Sequence, residues 1–302
     1  MPKTSVSILD SAQHAPETSG VVRVDAPRGG MTPRAVAIAG SHGPVPATIV
    51  DIGPRSRSVP TFVFLHGLVG LNEHWEKVVQ RFSANARCLM LQIPLLDLSG
   101  DDCSIQGVSA LTARFLEDYF RADDGLPVAL VGNSFGGHVA LRLAIERPDL
   151  VRGLVLAGSS GLIEKSMVSD VQIRPSREWL RRKIGELFFD RKHLSESDIE
   201  RAYKELSSRT GARAMVRLSR SARRNHLGNK LGQIKMPTLL IWGREDIVTP
   251  PEAAEGFRAS IPGSRIVWFD RCGHAPMIEC PDQFAEAMVG FIPEVSRPIE
   301  RD

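Results

Sequence analysis

The sequence predicts an α/β domain, a mostly parallel sheet with helices on both faces and a helical segment inserted after the sixth strand. Three observations carry this. Short apolar runs at 61–65, 88–93, 127–133, 154–157, 237–243 and 265–269 are separated by stretches with helical spacing, and buried strands alternating with helices make a parallel sheet covered on both sides. The alternation breaks from Gly158 to Lys235, which has helix-like stretches, many arginines and no convincing buried strand. One apolar run passes straight into Gly132-Asn133-Ser134-Phe135-Gly136-Gly137, and a helical pattern follows from His138 to Arg147.

Taken in order, residues 1–33 are rich in Ser, Pro, Gly and charge, with only short β-type runs such as Val21–Val24. They read as a weakly ordered arm. Ala35–Ala39 and Ala47–Ile52 read as a strand pair split by a turn over 40–44. Thr61–Leu65 is the first strongly buried strand and runs into His66-Gly67-Leu68. Asn72 is placed to cap a helix whose inner face carries Trp75, Val78, Val79 and Phe82. Ile105, Val108, Leu111, Phe115 and Tyr119 mark a long amphipathic helix, and Phe284, Met288 and Phe291 mark the last one. The core is therefore expected at 34–158 and 236–293, a helical lid at 159–235 and a tail at 294–302. Ligands of open α/β sheets bind at the carboxyl ends of the strands, which is where this insertion would lie.

Composition excludes several classes. A formal charge of +3 in 302 residues is too slight to argue for nucleic acid. Four cysteines without metal-ligand spacing read as free thiols. No apolar stretch is long enough to cross a bilayer, and no secretory signal is evident, so a cytoplasmic protein is expected. No metal or organic cofactor is implied, since there is no H-E-x-x-H, dinucleotide turn or P-loop. The expected partner is a small-molecule substrate.

A serine hydroxyl is a weak nucleophile until a base takes its proton and donors stabilise the developing oxyanion. Ser134 at a strand-to-helix turn meets the first need if a base stands nearby. Asp246 follows the 237–243 run and His274 follows the 265–269 run, so all three fall at strand ends. Glu245 competes with Asp246 for the role of acid. His138, one turn into the helix, reads as structural or as site wall, and His66 as a hydrogen-bonding anchor of its own turn.

The order Ser, Asp, His and the turn Gly132-Asn133-Ser134-Phe135-Gly136 resemble the α/β-hydrolase superfamily from about Thr61 to Phe291. That resemblance implies the α/β-hydrolase fold and a serine hydrolase with Ser134, Asp246 and His274 as its triad. It makes His66-Gly67 the oxyanion loop and the amides of Leu68 and Phe135 the oxyanion donors. Asn133, the stretch Leu187-Phe188-Phe189-Asp190 with Glu200-Arg201, and Cys272-Gly273-His274 are similar to the carbon–carbon bond hydrolases of aromatic ring-cleavage pathways. His66, Gly67, Asn133, Arg201 and Ala275 become candidate substrate contacts on that basis. Three features depart from the subgroup: Leu68-Val69-Gly70 after His66-Gly67, where it has Gly-Pro-Gly, Ala275 where it has Trp, and Arg201, one residue out of register with the lid arginine it would match.

The inserted segment is strongly basic: from Lys165 to Lys235 it carries twelve Arg and six Lys against eight acids. Arg213, Arg217, Arg220 and Arg224 share a helix face by spacing. That face either attracts an anionic substrate or stands in solvent or against a second copy of the chain. Arg174, Arg177 and Arg201 are the alternative anion contacts.

Overall fold

The structure is a computed structural model that describes residues 31–56, 58–121, 125–163 and 175–297. Expectations for residues 1–30, for Arg174 and for the end of the tail lie outside the described residues. β1 (Arg34–Gly40) and β2 (Gly43–Ile52) form an antiparallel hairpin, and the turn is tighter than expected, only Ser41 and His42. Gly43 has a φ of 124°, a conformation that a side chain would resist. β3 (Thr61–Leu65), β4 (Arg87–Gln92), β5 (Val128–Asn133), β6 (Val151–Ala157), β7 (Thr238–Gly243) and β8 (Arg265–Phe269) complete an eight-stranded sheet. The order is β1-β2-β4-β3-β5-β6-β7-β8, parallel from β4 onwards, with β2 antiparallel to β4.

Alternation along the central strands supplies two cores. Val63 and Leu65 with Leu89 and Leu91 face one side, where α2 (Ile105–Phe120), α3 (Phe135–Glu146) and a later helix at 251–260 pack. Phe62 and Phe64 with Cys88 and Met90 face the other, against α1 (Glu76–Phe82) and a helix at 281–289. Both faces are covered, so these strands read as unbroken apolar runs rather than alternating ones.

Two local expectations change. Asn72 is not the cap of α1: it opens a 3-10 turn, and its buried side-chain amide donates to the carbonyls of Thr48 and Met90, both at 3.4 Å. A capping residue and a buried cross-link look alike in sequence; the carbonyls of β2 and β4 win this one. The last helical turn, at Ile292–Val295, continues past residue 293 because Val295 is buried, close against Gly153 of β6.

Between β6 and β7 the described residues hold α4 (Arg177–Gly185), α5 (Glu196–Ser207) and α6 (Arg209–Arg224), and no strand. Leu180, Ile199, Leu206 and Leu218 anchor these helices in the first core. α7 (Pro251–Ser260), α8 (Pro276–Glu279), α9 (Pro281–Val289) and α10 (Ile292–Val295) finish the chain. Among the described residues no helix is long and apolar enough to cross a membrane. The four cysteines are all free.

Candidate active site

The turn between β5 and α3 is the strained point of the sheet. Ser134 has φ 53° and ψ −118°, a conformation that costs a non-glycine residue about 1–3 kcal/mol and needs surrounding structure to hold it. Three backbone bonds do so: Ser134 N to Ala157 O at 3.2 Å, and Ser160 N and His138 N to Ser134 O, each at 3.1 Å. The neighbouring glycines are required for space. A Cβ on Gly132 would lie 2.5 Å from backbone atoms of Gly136, and one on Gly136 would lie 2.3 Å from Leu65 O.

Asp246 and His274 stand on the loops after β7 and β8, both buried, and His274 Nδ1 is 2.9 Å from Asp246 Oδ2. The other carboxylate oxygen accepts the amides of Val248 at 2.8 Å and Thr249 at 2.9 Å. Burying a carboxylate is costly unless its lone pairs are met by donors, and here they are. With Nδ1 committed to the carboxylate, the imidazole presents Nε2 as its remaining edge, and His274 and Ser134 line the same cavity. Among the described residues no hydrogen bond joins the Ser134 hydroxyl to the imidazole.

Glu245 is occupied elsewhere: its carboxylate accepts the amide of Cys272 at 2.9 Å. His138 is fully buried and contacts the Asn225 carbonyl at 3.1 Å through Nε2. Burial, with Arg142 nearby, pushes its pKa down to about 3. His66 stands 2.7 Å from Gly67 O and 3.2 Å from Ile93 O, and burial pushes it down to about 4. Both rings are therefore neutral supports.

The cavity, of about 230 Å³, is walled mainly by apolar side chains, among them Leu68, Trp179, Leu187, Met215, Val248 and Met277. α4, α5 and α6 supply much of the wall. Gly67, Leu68, Asn133, Phe135, Arg201 and Ala275 all reach it. Among the described residues the amides of Leu68 and Phe135 have no acceptor. Asn133 spends its side-chain N–H groups on the carbonyls of Ala157, at 2.9 Å, and His274, at 3.0 Å. Arg201 donates to Val69 O at 2.7 Å and pairs with Glu205 at 3.1 Å and Asp198 at 3.5 Å. Arg177 pairs with Glu200 and covers the ring of Tyr203. Arg213, Arg217, Arg220 and Arg224 are exposed. Among the described residues no cluster of three or more His, Cys, Asp or Glu is arranged to hold a metal.

Two residues escape sequence reasoning. Thr249 touches both Asp246 and His274, and its spacing of three from an aspartate was an available sign of a local turn. Glu279 accepts Gly273 N and Phe189 N, each at 2.8 Å, and Asp190 N at 3.4 Å, tying the inserted segment to the histidine loop. Nothing local in the sequence signals it.

A profile of the alpha/beta hydrolase family matches residues 62–287. The chain belongs to the alpha/beta hydrolase family. It is 28% identical over 249 residues to the pimeloyl-[acyl-carrier protein] methyl ester esterase of Nitrosomonas europaea, covering 74% of this chain and 92% of that protein. It is also 28% identical over 285 residues to a 2-hydroxy-6-oxononadienedioate/2-hydroxy-6-oxononatrienedioate hydrolase of Paraburkholderia xenovorans, covering 86% and 95%. Among solved structures, an alpha/beta hydrolase enzyme from a sediment metagenome of the Mar Chica lagoon superposes with a TM-score of 0.64. The two share 28% identity, with 82% of this chain and 95% of that one covered. This α/β hydrolase is an enzyme, with a methyl ester esterase and 2-hydroxy-6-oxononadienedioate/2-hydroxy-6-oxononatrienedioate hydrolases among its relatives.

Proposed function

We propose that the chain is a serine hydrolase of small to medium carboxylic esters or lactones, working through an acyl-enzyme. One observation carries this: a serine held at positive φ shares an apolar cavity with an imidazole whose Nδ1 is fixed by a buried carboxylate. Ser134 Oγ attacks the carbonyl carbon as its proton passes to Nε2 of His274. Asp246 holds the resulting imidazolium in orientation. The amides of Leu68 and Phe135 receive the oxyanion, and losing one such donor costs about 3 kcal/mol. Collapse expels the alcohol, which takes the proton from His274. Water, deprotonated by the same base, then releases the acid.

Hydrolysis of a carbon–carbon bond in a vinylogous diketone is the second reading, favoured by Asn133 and by the relatives. It requires delivery of a proton to carbon before the bond breaks. Against it, Arg201, one of two arginines on the cavity wall among the described residues, is already matched with two acids and a carbonyl. The cavity wall better suits an apolar acyl group. A receptor that binds without turnover would leave the Asp246–His274 pair without purpose.

The test is a fluorophosphonate probe together with steady-state turnover of p-nitrophenyl esters and a ring-cleavage dienoate. Wild type should label once per chain and turn over esters many times, while Ser134→Ala should lose labelling and at least 10⁴-fold of kcat, as rough experience with such triads predicts. Preserved turnover in that variant would refute the mechanism, faster dienoate cleavage would favour the second reading, and stoichiometric acylation without release would favour a receptor.

A further inference from the structure

Among the described residues Thr249 is the one side chain within hydrogen-bond distance of both Asp246 and His274. Its hydroxyl lies 2.8 Å from Asp246 Oδ2 and 3.1 Å from His274 Nδ1. It is fully buried. Both of its neighbours are acceptors or donors of fixed kind. An ionised carboxylate can only accept, so the threonine O–H donates to Asp246 Oδ2. The hydroxyl oxygen is then left with lone pairs facing Nδ1, and the imidazole N–H points between two acceptors, Oδ2 at 2.9 Å and Oγ1 at 3.1 Å.

The residue is itself held in place. Trp242 Nε1 donates to its carbonyl at 2.8 Å, and its amide donates to Asp246 Oδ1 at 2.9 Å. The carboxylate therefore sits in a collar of two amides on one oxygen, and of one hydroxyl and the imidazole on the other.

We infer that Thr249 is a positioning residue for the reaction assigned above: its hydroxyl keeps the Asp246 carboxylate and the His274 ring coplanar enough for Nε2 to face Ser134. The inference rests on that assignment. The hydroxyl transfers no proton. When Ser134 Oγ bonds to the carbonyl carbon, its proton goes to Nε2, and the Nδ1–H of the imidazolium, now carrying positive charge, binds Oγ1 and the carboxylate more strongly than the neutral ring did. Without the hydroxyl, Oδ2 loses a donor and the ring loses that second contact. The protonated ring then loses more than the neutral one, so the effect belongs to the chemical step and not to substrate binding.

The experiment compares Thr249→Val, which keeps the shape, with Thr249→Ser, which keeps the hydroxyl. Read-outs are kcat and KM on a p-nitrophenyl ester, the rate constant of fluorophosphonate labelling, thermal midpoint, and the downfield imidazole N–H proton resonance. Thr249→Val should lower kcat and the labelling rate together by about tenfold, leave KM within twofold, and shift the proton resonance. Thr249→Ser should restore kcat and labelling to within threefold of wild type. A valine variant with unchanged labelling rate, or a serine variant as slow as valine at an equal midpoint, would overturn the proposal. If the valine variant does not fold, Thr249→Ala compared with Thr249→Ser decides by the same measures. Retained turnover in Ser134→Ala would instead sink the underlying assignment, so the two failures are separable.

Discussion

At the scale of single residues, charge matching decides what the cavity can receive. Arg201 reaches the wall with about one fifth of its side chain exposed, yet Glu205 and Asp198 both stand against it. A substrate carboxylate would have to share the guanidinium with those acids, and a charge-assisted bond is worth only about 1.5–3 kcal/mol net. Removing the competing charge should therefore change selectivity. Glu205→Gln is expected to raise kcat/KM for a p-nitrophenyl hemisuccinate about tenfold relative to p-nitrophenyl butyrate. Equal ratios in the two proteins, measured at low salt, would show that Arg201 does not meet the substrate. Space is the second residue-scale constraint. Gly136→Ala should abolish the soluble fold or lower its stability by about 3 kcal/mol or more, because its Cβ would lie 2.3 Å from the carbonyl of Leu65. Chemical denaturation of whatever protein can be purified checks this.

At the scale of elements, the loop after β8 and the segment after α4 behave as one piece. His274 N donates to Leu187 O at 2.8 Å, while the Glu279 carboxylate gathers the amides of Gly273, Phe189 and Asp190. Burial raises the Glu279 pKa even though those three amides pull it down. Glu279→Gln keeps one acceptor oxygen but sets an amide NH₂ against a backbone donor. One buried N–H is then left unmet, at about 1–3 kcal/mol. The thermal midpoint should fall by several degrees, and hydrogen exchange should quicken at Phe189 and Gly273 but not in β5; uniform exchange would argue against a local staple. This staple also shows where sequence reasoning stops. The strands at 61–65 and 237–243 were legible because covered parallel strands are continuously apolar, and Ser134 because a lone serine sat between glycines at a strand end. Glu279 was not, because two of its three partners, Phe189 and Asp190, lie some ninety residues away. Asn72 misled for the same reason: its local context suits a cap, and only the assembled sheet supplies better acceptors. Arg201 lay between the two cases: it was named as a substrate contact and does line the cavity, but its pairing with Asp198 and Glu205 was not read from the sequence.

For the molecule as a whole, the buried histidines couple stability to pH. His66 and His138 are pushed down to about 4 and about 3 from an ordinary value near 6.5. Each is neutral in the folded protein and titrates normally when unfolded. Their contribution is complete above about pH 6.5. It declines as the pH falls from there towards the folded values, because the unfolded chain takes up protons first. Each group contributes a slope of about 1.4 kcal/mol per pH unit, so roughly 5 kcal/mol should be lost by pH 4.5. A loss of that size is comparable with the whole stability of an ordinary domain, about 5–15 kcal/mol, so unfolding should begin in mild acid while the surface ion pairs are still charged. Glu279 works in the opposite sense: its raised pKa favours the fold at low pH and withdraws that support as pH rises through the folded value. It can only blunt the histidine effect near the acid end. The two contributions separate in His138→Gln, which cannot ionise but can still offer an N–H to the Asn225 carbonyl. Urea denaturation at several values between pH 7.5 and 4.5 should give that variant about half the wild-type slope. An unchanged slope would mean that His138 is protonated in the folded protein, which a fully enclosed ring beside Arg142 should not permit.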